Sequence, residues 1–248
     1  MKILFSKKQE WESTISMGFQ ATSHELVFEE FSPANIGNSD LVVPLTVRDT
    51  RYLAEMRPLV ARNPLPIPSL ESIELCNNKS LFNRTLMDNG FERLIPQIGG
   101  TLPYPYILKK NIDEWGKNSH IVWDARQERD FSDILAHPDY FRQAIIPGPT
   151  EYATHILFKD RKVAWALNVK YVFAIETPIK GKDPILSTVL CPCPYLDLFS
   201  SVLRFLGFEG LCCINYKVLD DRPFLFEINP RFGGSLCPFF PFFLRHLH

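Results

Sequence analysis

The segment RPFLFEINPRFGGS, residues 222–235, sets polar side chains into an apolar run. It contains a carboxylate (Glu227), an amide (Asn229) and a guanidinium (Arg231) among phenylalanine, leucine, isoleucine and proline. Burying charged and amide groups costs free energy unless each finds a partner. The segment therefore predicts that these three side chains hold a ligand or one another.

The residues just upstream predict a β-hairpin that brings a fourth polar side chain to this set. If DDR is a three-residue loop between GLCCINYKVL and PFLFEIN, Leu219 lies opposite Pro223 and Asn215 lies opposite Glu227. Opposite residues point to one face of a sheet, and so do residues two apart. Asn215, Glu227 and Asn229 would then share a face, although a register error of one residue would turn Asn215 away.

One carboxylate and two amides on a common face are oxygen donors of the kind that Mg²⁺ prefers. The alternative is that Glu227 forms an ordinary ion pair with Arg231 at the end of the strand. The residues alone leave both interpretations open.

The string EINPRFGGS, preceded by such a hairpin, resembles the C-terminal signature of the ATP-grasp superfamily. It is most similar to the carbamoyl-phosphate-synthetase-like branch of carboxylate–amine ligases, and the resemblance extends over residues 72–235. It implies an α+β fold in which two α+β subdomains sandwich ATP, preceded by a small α/β N-terminal domain. The expected boundaries are 1–71 for the small domain, 72–142 for the first subdomain and 143–248 for the second.

The resemblance also implies roles for single residues. Asn215, Glu227 and Asn229 would bind Mg²⁺ (or Mn²⁺) that bridges the ATP phosphates, and Arg231 would be catalytic, contacting the γ-phosphate or an acylphosphate. Lys79 would open a helix and reach the α-phosphate.

Further nucleotide contacts follow from the same resemblance. Lys109, at the end of the strand YPYILKK, would contact adenine and phosphate, although Lys110 beside it fits the pattern as well. Residues Gln143, Ala144, Ile145 and Ile146 would line the adenine pocket. Glu151 would bind the ribose hydroxyls.

Lys170 is a further phosphate candidate, because it shares a strand face with Asn168 in ALNVKYVF. The alternative is a solvated lysine on a half-exposed strand.

The function implied is that of an ATP-dependent ligase that joins a small-molecule carboxylate to an amine through an acylphosphate. The alternatives are an ATP-binding accessory protein without turnover and an ATP-dependent phosphotransferase. Two features depart from the family pattern. The expected glycine-rich loop has one glycine, Gly116, and both terminal regions, which help to shape acceptor sites in the family, are short.

Composition excludes several other classes. The 248 residues carry 27 basic and 28 acidic side chains, a net charge of −1, which predicts neither a nucleic-acid nor a membrane-surface partner. The longest apolar run, LCPFFPFFL, is shorter than the roughly 20 residues of a membrane span. Its phenylalanines predict either core or a subunit contact, which leaves a homo-oligomer open.

The cysteines and histidines predict no metal site. The six cysteines lack zinc-site spacing, so we expect buried or partly buried thiols in a reducing compartment, the cytoplasm. His246 and His248 stand two residues apart, a spacing that by itself does not predict a metal site.

The remaining patterns predict the elements that must position these side chains. MKILFS and LVVPL predict strands in the first 70 residues, and SLESIELCNNKSLFNRTLMDNG predicts one helix or two helices broken near Asn77. Residues 150–174 predict a hairpin turning at KDR. YLDLFSSVLRFLGF predicts an amphipathic helix.

Overall fold

Three β-sheets organise the protein, in a computed structural model that describes residues 1–114 and 116–247. His248, one of the two histidines at a ligand spacing, lies outside the described residues, and the ring of His246 stacks on Trp165 with centroids 4.4 Å apart. The three sheets follow one another along the chain. The domain boundaries themselves stay a prediction.

The first sheet is parallel, with strand order β2-β1-β3. Its strands are β1 (Lys2–Ser6), β2 (Glu25–Glu29) and β3 (Leu41–Val43), and its helices are α1 (Gln9–Gly18), α2 (Pro33–Gly37) and α3 (Val47–Glu55). The strands predicted at MKILFS and LVVPL are confirmed as β1 and β3, whereas β2 was not predicted. The central strand β1 is apolar and buried at its core positions, which is typical of a parallel sheet covered on both faces.

The second sheet is antiparallel and follows a pair of helices. Of the two helix predictions, the broken form is confirmed: α4 (Leu70–Asn77) ends one residue before α5 (Lys79–Leu86) begins. The residue between them, Asn78, caps α5, because its Oδ1 accepts a hydrogen bond from the backbone N–H of Leu81 at 3.1 Å.

The strands of this sheet run in the order β5-β4-β6. They are β4 (Tyr106–Lys110), β5 (His120–Val122) and β6 (Tyr140–Ala144). The short helices α6 (Ala125–Asp130) and α7 (Ser132–Ala136) connect the last two strands.

The third sheet has five antiparallel strands in the order β11-β10-β7-β8-β9. They are β7 (Thr150–Lys159), β8 (Lys162–Phe173), β9 (Ile185–Leu190), β10 (Gly210–Leu219) and β11 (Arg222–Asn229). Both predicted hairpins are confirmed as β7–β8 and β10–β11. The predicted amphipathic helix is α8 (Leu196–Phe205), which packs its apolar side against one face of the sheet.

The turn of the second hairpin differs from the prediction, yet the pairing that matters is confirmed. The loop is two residues long, and both have positive φ, Asp220 at 50° and Asp221 at 56°, as two-residue hairpin loops require. Pairing therefore starts one position away from the expected register. A β-bulge between Asn215 and Tyr216 then shifts it by one residue, so Asn215 does lie opposite Glu227.

The phenylalanine-rich C-terminal segment is core. After β11 come a 3₁₀ segment, Gly234–Phe239, and α9 (Phe240–Leu244), which lie against α1 and the first sheet. Phe240 is fully buried, with ring centroids 5.8 Å from Phe5 and 5.1 Å from Phe232. The N- and C-terminal parts of the chain therefore share one hydrophobic core.

No helix in the described part of the chain is both long and apolar enough to cross a membrane. All six cysteines are free, and each is buried or partly buried as predicted.

The shared core predicts a large difference between two neighbouring phenylalanines. Phe240→Ala should lower the free energy of unfolding by about 3–5 kcal/mol, because it leaves a cavity among packed rings. Phe242→Ala removes a side chain that is 51% exposed and should change stability by less than about 0.5 kcal/mol. Urea denaturation of both variants tests this, and equal effects would contradict a shared core.

Candidate active site

A cavity lies between the five-stranded sheet and the antiparallel three-stranded sheet β5-β4-β6. One face of the five-stranded sheet forms its floor. Alternate residues of β7, β8, β10 and the end of β11 point into the cavity, as the period of two along a strand requires. These floor residues are Glu151, Ala153, His155, Tyr171, Cys213, Asn215, Lys217, Glu227 and Asn229. The roof comes from β4, β5 and β6 through Ile107, Lys109, Ile121 and Gln143.

The cavity is strongly cationic, although the whole chain is almost neutral. Of the described residues that line it, five are basic and two are acidic. The basic ones are Lys79, Lys109, Lys180, Lys217 and Arg231, and the acidic ones are Glu151 and Glu227. Such an excess, enclosed between two sheets, is suited to a polyanionic ligand.

Glu227 stands at the centre of a hydrogen-bonded set. Its Oε1 accepts from the amide nitrogens of Asn215 at 2.7 Å and Asn229 at 2.9 Å, and its Oε2 lies 3.0 Å from Lys79 Nζ. Burial raises the pKa of Glu227, but the Lys79 charge and the two amides outweigh burial and hold that pKa at about 2. Glu227 is therefore ionised across the neutral range, and its salt bridge is to Lys79 rather than to Arg231.

The three predicted metal ligands are thus brought together, and their chemistry fits a hard cation. The described residues contain no cluster of three or more His, Cys, Asp or Glu side chains suited to a metal. Mg²⁺, however, is commonly bound by one or two carboxylates, with substrate phosphates and waters as its other ligands. Glu227 would supply the carboxylate, and the amides of Asn215 and Asn229 would add oxygens once rotated.

Lys79 is positioned by three elements at once. Its own N–H, at the start of α5, donates to Asn111 O at 2.8 Å, and its Nζ donates to Asp113 O at 2.5 Å. Its Nζ also forms the salt bridge to Glu227 on β11. The helix start, the exit of β4 and the floor of the cavity therefore converge on one ammonium group.

Strand alternation places one of the two candidate lysines of β4, Lys109, in the cavity. Lys109 lines the cavity, and its Nζ lies 4.4 Å from the ring centroid of Phe226, the residue at the bulge of β11. Burial lowers the pKa of Lys109 to about 8, even though Glu227 and Glu151 favour its charged form. Lys110 is the next residue on the strand and points to the opposite face.

The predicted adenine-pocket residues all line the cavity where β6 ends. These are Gln143, Ala144, Ile145 and Ile146. Gln143 is 1% exposed, and among the described residues its Nε2 has no hydrogen-bond partner. A buried amide of this kind is suited to bind a ligand, since an unsatisfied buried donor is costly.

Lys217 fixes the backbone that follows these residues, and sequence reasoning missed it. The buried ammonium donates to Ile146 O at 3.1 Å and to Gly148 O at 2.6 Å, and burial lowers its pKa. Lys217 lies two residues after Asn215 on β10, so strand alternation could have placed it in the site.

Glu151 lines the cavity as predicted, and a second missed lysine accompanies it. Lys180 Nζ lies 3.6 Å from Glu151 Oε1, donates to Asn215 Oδ1 at 3.3 Å and lies 4.0 Å from the ring centroid of Tyr171. Burial lowers the pKa of Lys180, but Glu151 and Tyr171 outweigh it, so the net shift is upward. Lys180 comes from the loop between β8 and β9, where no periodic pattern could have marked it.

Lys170 does not line the cavity, so its predicted place in the site needs correction. It pairs with Tyr152 across β7 and β8, and its Nζ lies 6.0 Å from the Tyr152 ring centroid. Tyr152 in turn stacks on Tyr216, which packs against Phe199 of α8. The prediction correctly grouped Lys170 with Asn168, but it chose the wrong face of the sheet.

Arg231 is held at the edge of the cavity by the backbone around it. Its Nη1 donates to Phe232 O at 2.7 Å and its Nη2 to Asn229 Oδ1 at 3.4 Å. A second cavity adjoins the first, and Lys79, Glu227 and Asn229 line both. The far side of the second cavity includes Arg48 at the start of α3.

The loop with the single glycine also reaches the cavity. Gly116 has φ +61°, and a Cβ there would lie 2.9 Å from Ile179 Cγ2. Lys182 Nζ donates to Ser119 O at 2.6 Å. The segment after β4 is thus attached to the loop that carries Lys180.

Solved structures of similar fold share little sequence with this chain. D-alanine–D-alanine ligase from Bacillus anthracis superposes with a TM-score of 0.63 at 14% identity, covering 95% of this chain and 88% of the ligase. L-amino acid ligase from Bacillus licheniformis gives 0.64 at 14% identity, with 96% and 68% covered. N5-carboxyaminoimidazole synthetase from Staphylococcus aureus, solved with ADP, gives 0.64 at 12% identity, with 94% and 71% covered.

No family model and no curated protein matches the sequence. At such low identity the likeness concerns the fold, and the three structures are ATP-grasp proteins. Their agreement over more than nine-tenths of the chain confirms the fold predicted from the EINPRFGGS segment. The protein therefore has the α+β ATP-grasp fold, and its cationic cavity lies between the two antiparallel sheets.

Proposed function

We propose that the protein is an ATP-dependent ligase that joins a carboxylate to an amine. The observation that carries the proposal is the convergence of five basic side chains, with Glu227 and two amides, in one cavity between two sheets. Phosphoryl transfer depends mainly on positioning and on neutralising charge, and this set supplies both. The similar solved structures include a D-alanine–D-alanine ligase and an L-amino acid ligase, which supports an amide-forming reaction.

The proposed reaction has two steps. A carboxylate oxygen of the first substrate attacks the γ-phosphorus of ATP, the bond from that phosphorus to the bridging oxygen breaks, and ADP leaves. The amine nitrogen then attacks the carbonyl carbon of the acylphosphate, phosphate leaves with the bonding electron pair, and the nitrogen gives up a proton.

Each lining residue has a place in this scheme. Lys79, Lys109 and Lys180 neutralise phosphate charge, and Glu151 accepts from the ribose hydroxyls. Gln143 and the backbone of residues 144–146, braced by Lys217, receive the adenine. Asn215, Glu227 and Asn229 would hold Mg²⁺, which when bound neutralises charge on the β- and γ-phosphates.

Arg231 would stabilise the phosphoryl oxygens during both steps. Its guanidinium lines the first cavity, with Nη2 3.4 Å from Oδ1 of Asn229, and would lie beside the carboxylate that is phosphorylated. The second cavity, which shares Lys79, Glu227 and Asn229 with the first, would receive the amine.

Replacement of Glu227 tests the metal assignment. Glu227→Ala should weaken Mg·ATP binding by at least about tenfold while ATP binding in EDTA changes less, because the variant loses the carboxylate of the metal site. Titration calorimetry with and without Mg²⁺ measures both affinities. Glu92→Gln, at an exposed site, is the control, and unchanged Mg·ATP affinity of the Ala variant would show that the metal assignment is wrong.

Lys180 and Lys170, on opposite faces of the five-stranded sheet, are a test site and its matched control for ATP binding. Lys180→Met should weaken ATP binding by about tenfold to a hundredfold, the effect of losing one charge-assisted contact. Lys170→Met should change it by less than about threefold, since its side chain lies on the face of α8. Equal losses in the two variants, measured by fluorescence titration with a labelled nucleotide, would refute the placement.

The lowered pKa of Lys109 predicts that ATP affinity depends on pH. Because its folded-state pKa is lowered to about 8, the cation is lost as pH rises through 8. ATP affinity should therefore fall between pH 8 and 10, towards about tenfold per pH unit, and stay level below pH 7. Lys109→Arg should flatten the profile because arginine remains charged, and an equally steep profile in that variant would exclude Lys109 as the titrating group.

Substrate-dependent ADP release separates this function from the alternatives. A ligase needs both a carboxylate and an amine for sustained ADP release, and a phosphotransferase needs only one acceptor and gives a stable phosphoproduct. Nucleotide binding without ADP release across a broad panel of acids and amines would favour an accessory protein.

A further inference from the structure

Two buried cations meet at one tryptophan between the first sheet and the cavity. Lys8 follows β1, and its Nζ lies 3.9 Å from the ring centroid of Trp11. Arg231 Cζ lies 5.9 Å from the same centroid. Both charged side chains are less than a tenth exposed, at 8% for Lys8 and 9% for Arg231.

Neither cation is well neutralised by the described residues around it. The carboxylate nearest to Lys8 is Glu10 at 3.8 Å, and the one nearest to Arg231 is Glu114 at 4.0 Å. Both carboxylates are largely in solvent, 67% and 48% exposed, where an ion pair contributes little. By contrast, Lys79 and Glu227 are 3.0 Å apart in the same region.

Three further observations indicate that the two cations are suited to an anion. The buried Nε of Arg231 has no hydrogen-bond partner among the described residues. Burial lowers the pKa of Lys8, and the Arg231 charge lowers it further. Three carboxylates favour the charged form of Lys8. Glu114 and Glu10 are largely in solvent, and Asp49 already accepts hydrogen bonds from Ser6 and Thr46 at 2.6 Å each. A buried charge without a counter-ion is costly, so Arg231, together with the Lys8 ammonium on the same tryptophan ring, is suited to bind anionic groups of a ligand.

The position of the pair relates it to the proposed chemistry. Arg231 lines the nucleotide cavity and Glu114 lines the second cavity, and these cavities share Glu227 and Asn229. One anionic group beside Arg231 would be the carboxylate that is phosphorylated. Lys8, contributed by the N-terminal domain, is then left to bind a second anionic group of the same molecule.

We propose that Lys8 and Arg231 form a subsite for a substrate with two acidic groups, a dicarboxylic acid rather than a zwitterionic amino acid. The inference rests on the proposed function and adds the chemical class of the carboxylate substrate. An ammonium group placed next to Lys8 would be repelled by the two cations, whereas a second carboxylate would neutralise them.

Matched acids that differ in one terminal group test the subsite. Succinate is compared with β-alanine, glutarate with γ-aminobutyrate, and adipate with δ-aminovalerate, each with Mg·ATP and with hydroxylamine as the amine. Release of ADP and formation of the hydroxamate are measured. We expect at least one diacid to reach half-saturation at a tenfold lower concentration than its amino-acid partner.

Substitution of neighbouring lysines then assigns the preference to a residue. Lys8→Met keeps most of the apolar stem over Trp11 and should abolish the preference for the diacid, with the Mg·ATP dissociation constant unchanged. Lys8→Arg should retain the preference. Lys7→Met changes an exposed lysine and should behave like the wild type.

Several results would overturn the inference. These are an amino acid that equals or exceeds every diacid in the wild type, a preference that survives in a folded Lys8→Met variant, and no response to any acid while Mg·ATP still binds. The wild-type ranking decides the substrate class even if the Met variant does not fold. Failure of the wild type to bind Mg·ATP would instead overturn the proposed function, and with it the basis of this inference.

Discussion

The salt bridge between Lys79 and Glu227 is the interaction on which the candidate site depends. It joins the first turn of α5 to the last residues of β11, at 3.0 Å, in a partly buried position. Removing one partner of such a pair leaves the other charge buried and uncompensated, which typically costs about 3–5 kcal/mol. Because Lys79 also bonds to the backbone after β4, this one ammonium group sets the distance between the roof and the floor of the cavity.

The electrostatics of the cavity follow from that arrangement. Glu227 binds Lys79 and two amides, and with Glu151 it faces five basic side chains. Burial holds the pKa of Lys109 at about 8 even though Glu227 and Glu151 favour its charged form, and Lys217 donates to backbone carbonyls. A polyphosphate would relieve this imbalance, which is the physical reason why we propose a nucleotide as the ligand.

The first sheet lies close to the site because its hydrophobic core continues into the C-terminal segment. Phe5 of β1 packs against Phe240 of α9, and Gly18 allows α1 to approach the chain so closely that a Cβ there would lie 2.6 Å from Pro238 O. This packing brings Trp11 beside Arg231, with ring and guanidinium carbon 5.9 Å apart. The segment after β1 thereby brings Lys8 to the same tryptophan as Arg231.

The sequence by itself determined the central part of the site. The resemblance of EINPRFGGS to the ATP-grasp signature predicted the fold. The hairpin predicted the common face of Asn215, Glu227 and Asn229, because strand alternation is a local property that a single strand carries. Even there the turn was wrong by one residue, and the bulge at Phe226 restored the register. Only the tertiary structure decided which face of β8 lines the cavity, since Lys170 obeys the same alternation on the opposite side. The tertiary structure alone also placed Lys180, which comes from an irregular loop. It alone brought Lys8 to the tryptophan that Arg231 contacts, through packing of the two chain ends. Contacts between distant segments leave no periodic pattern in the sequence of either segment.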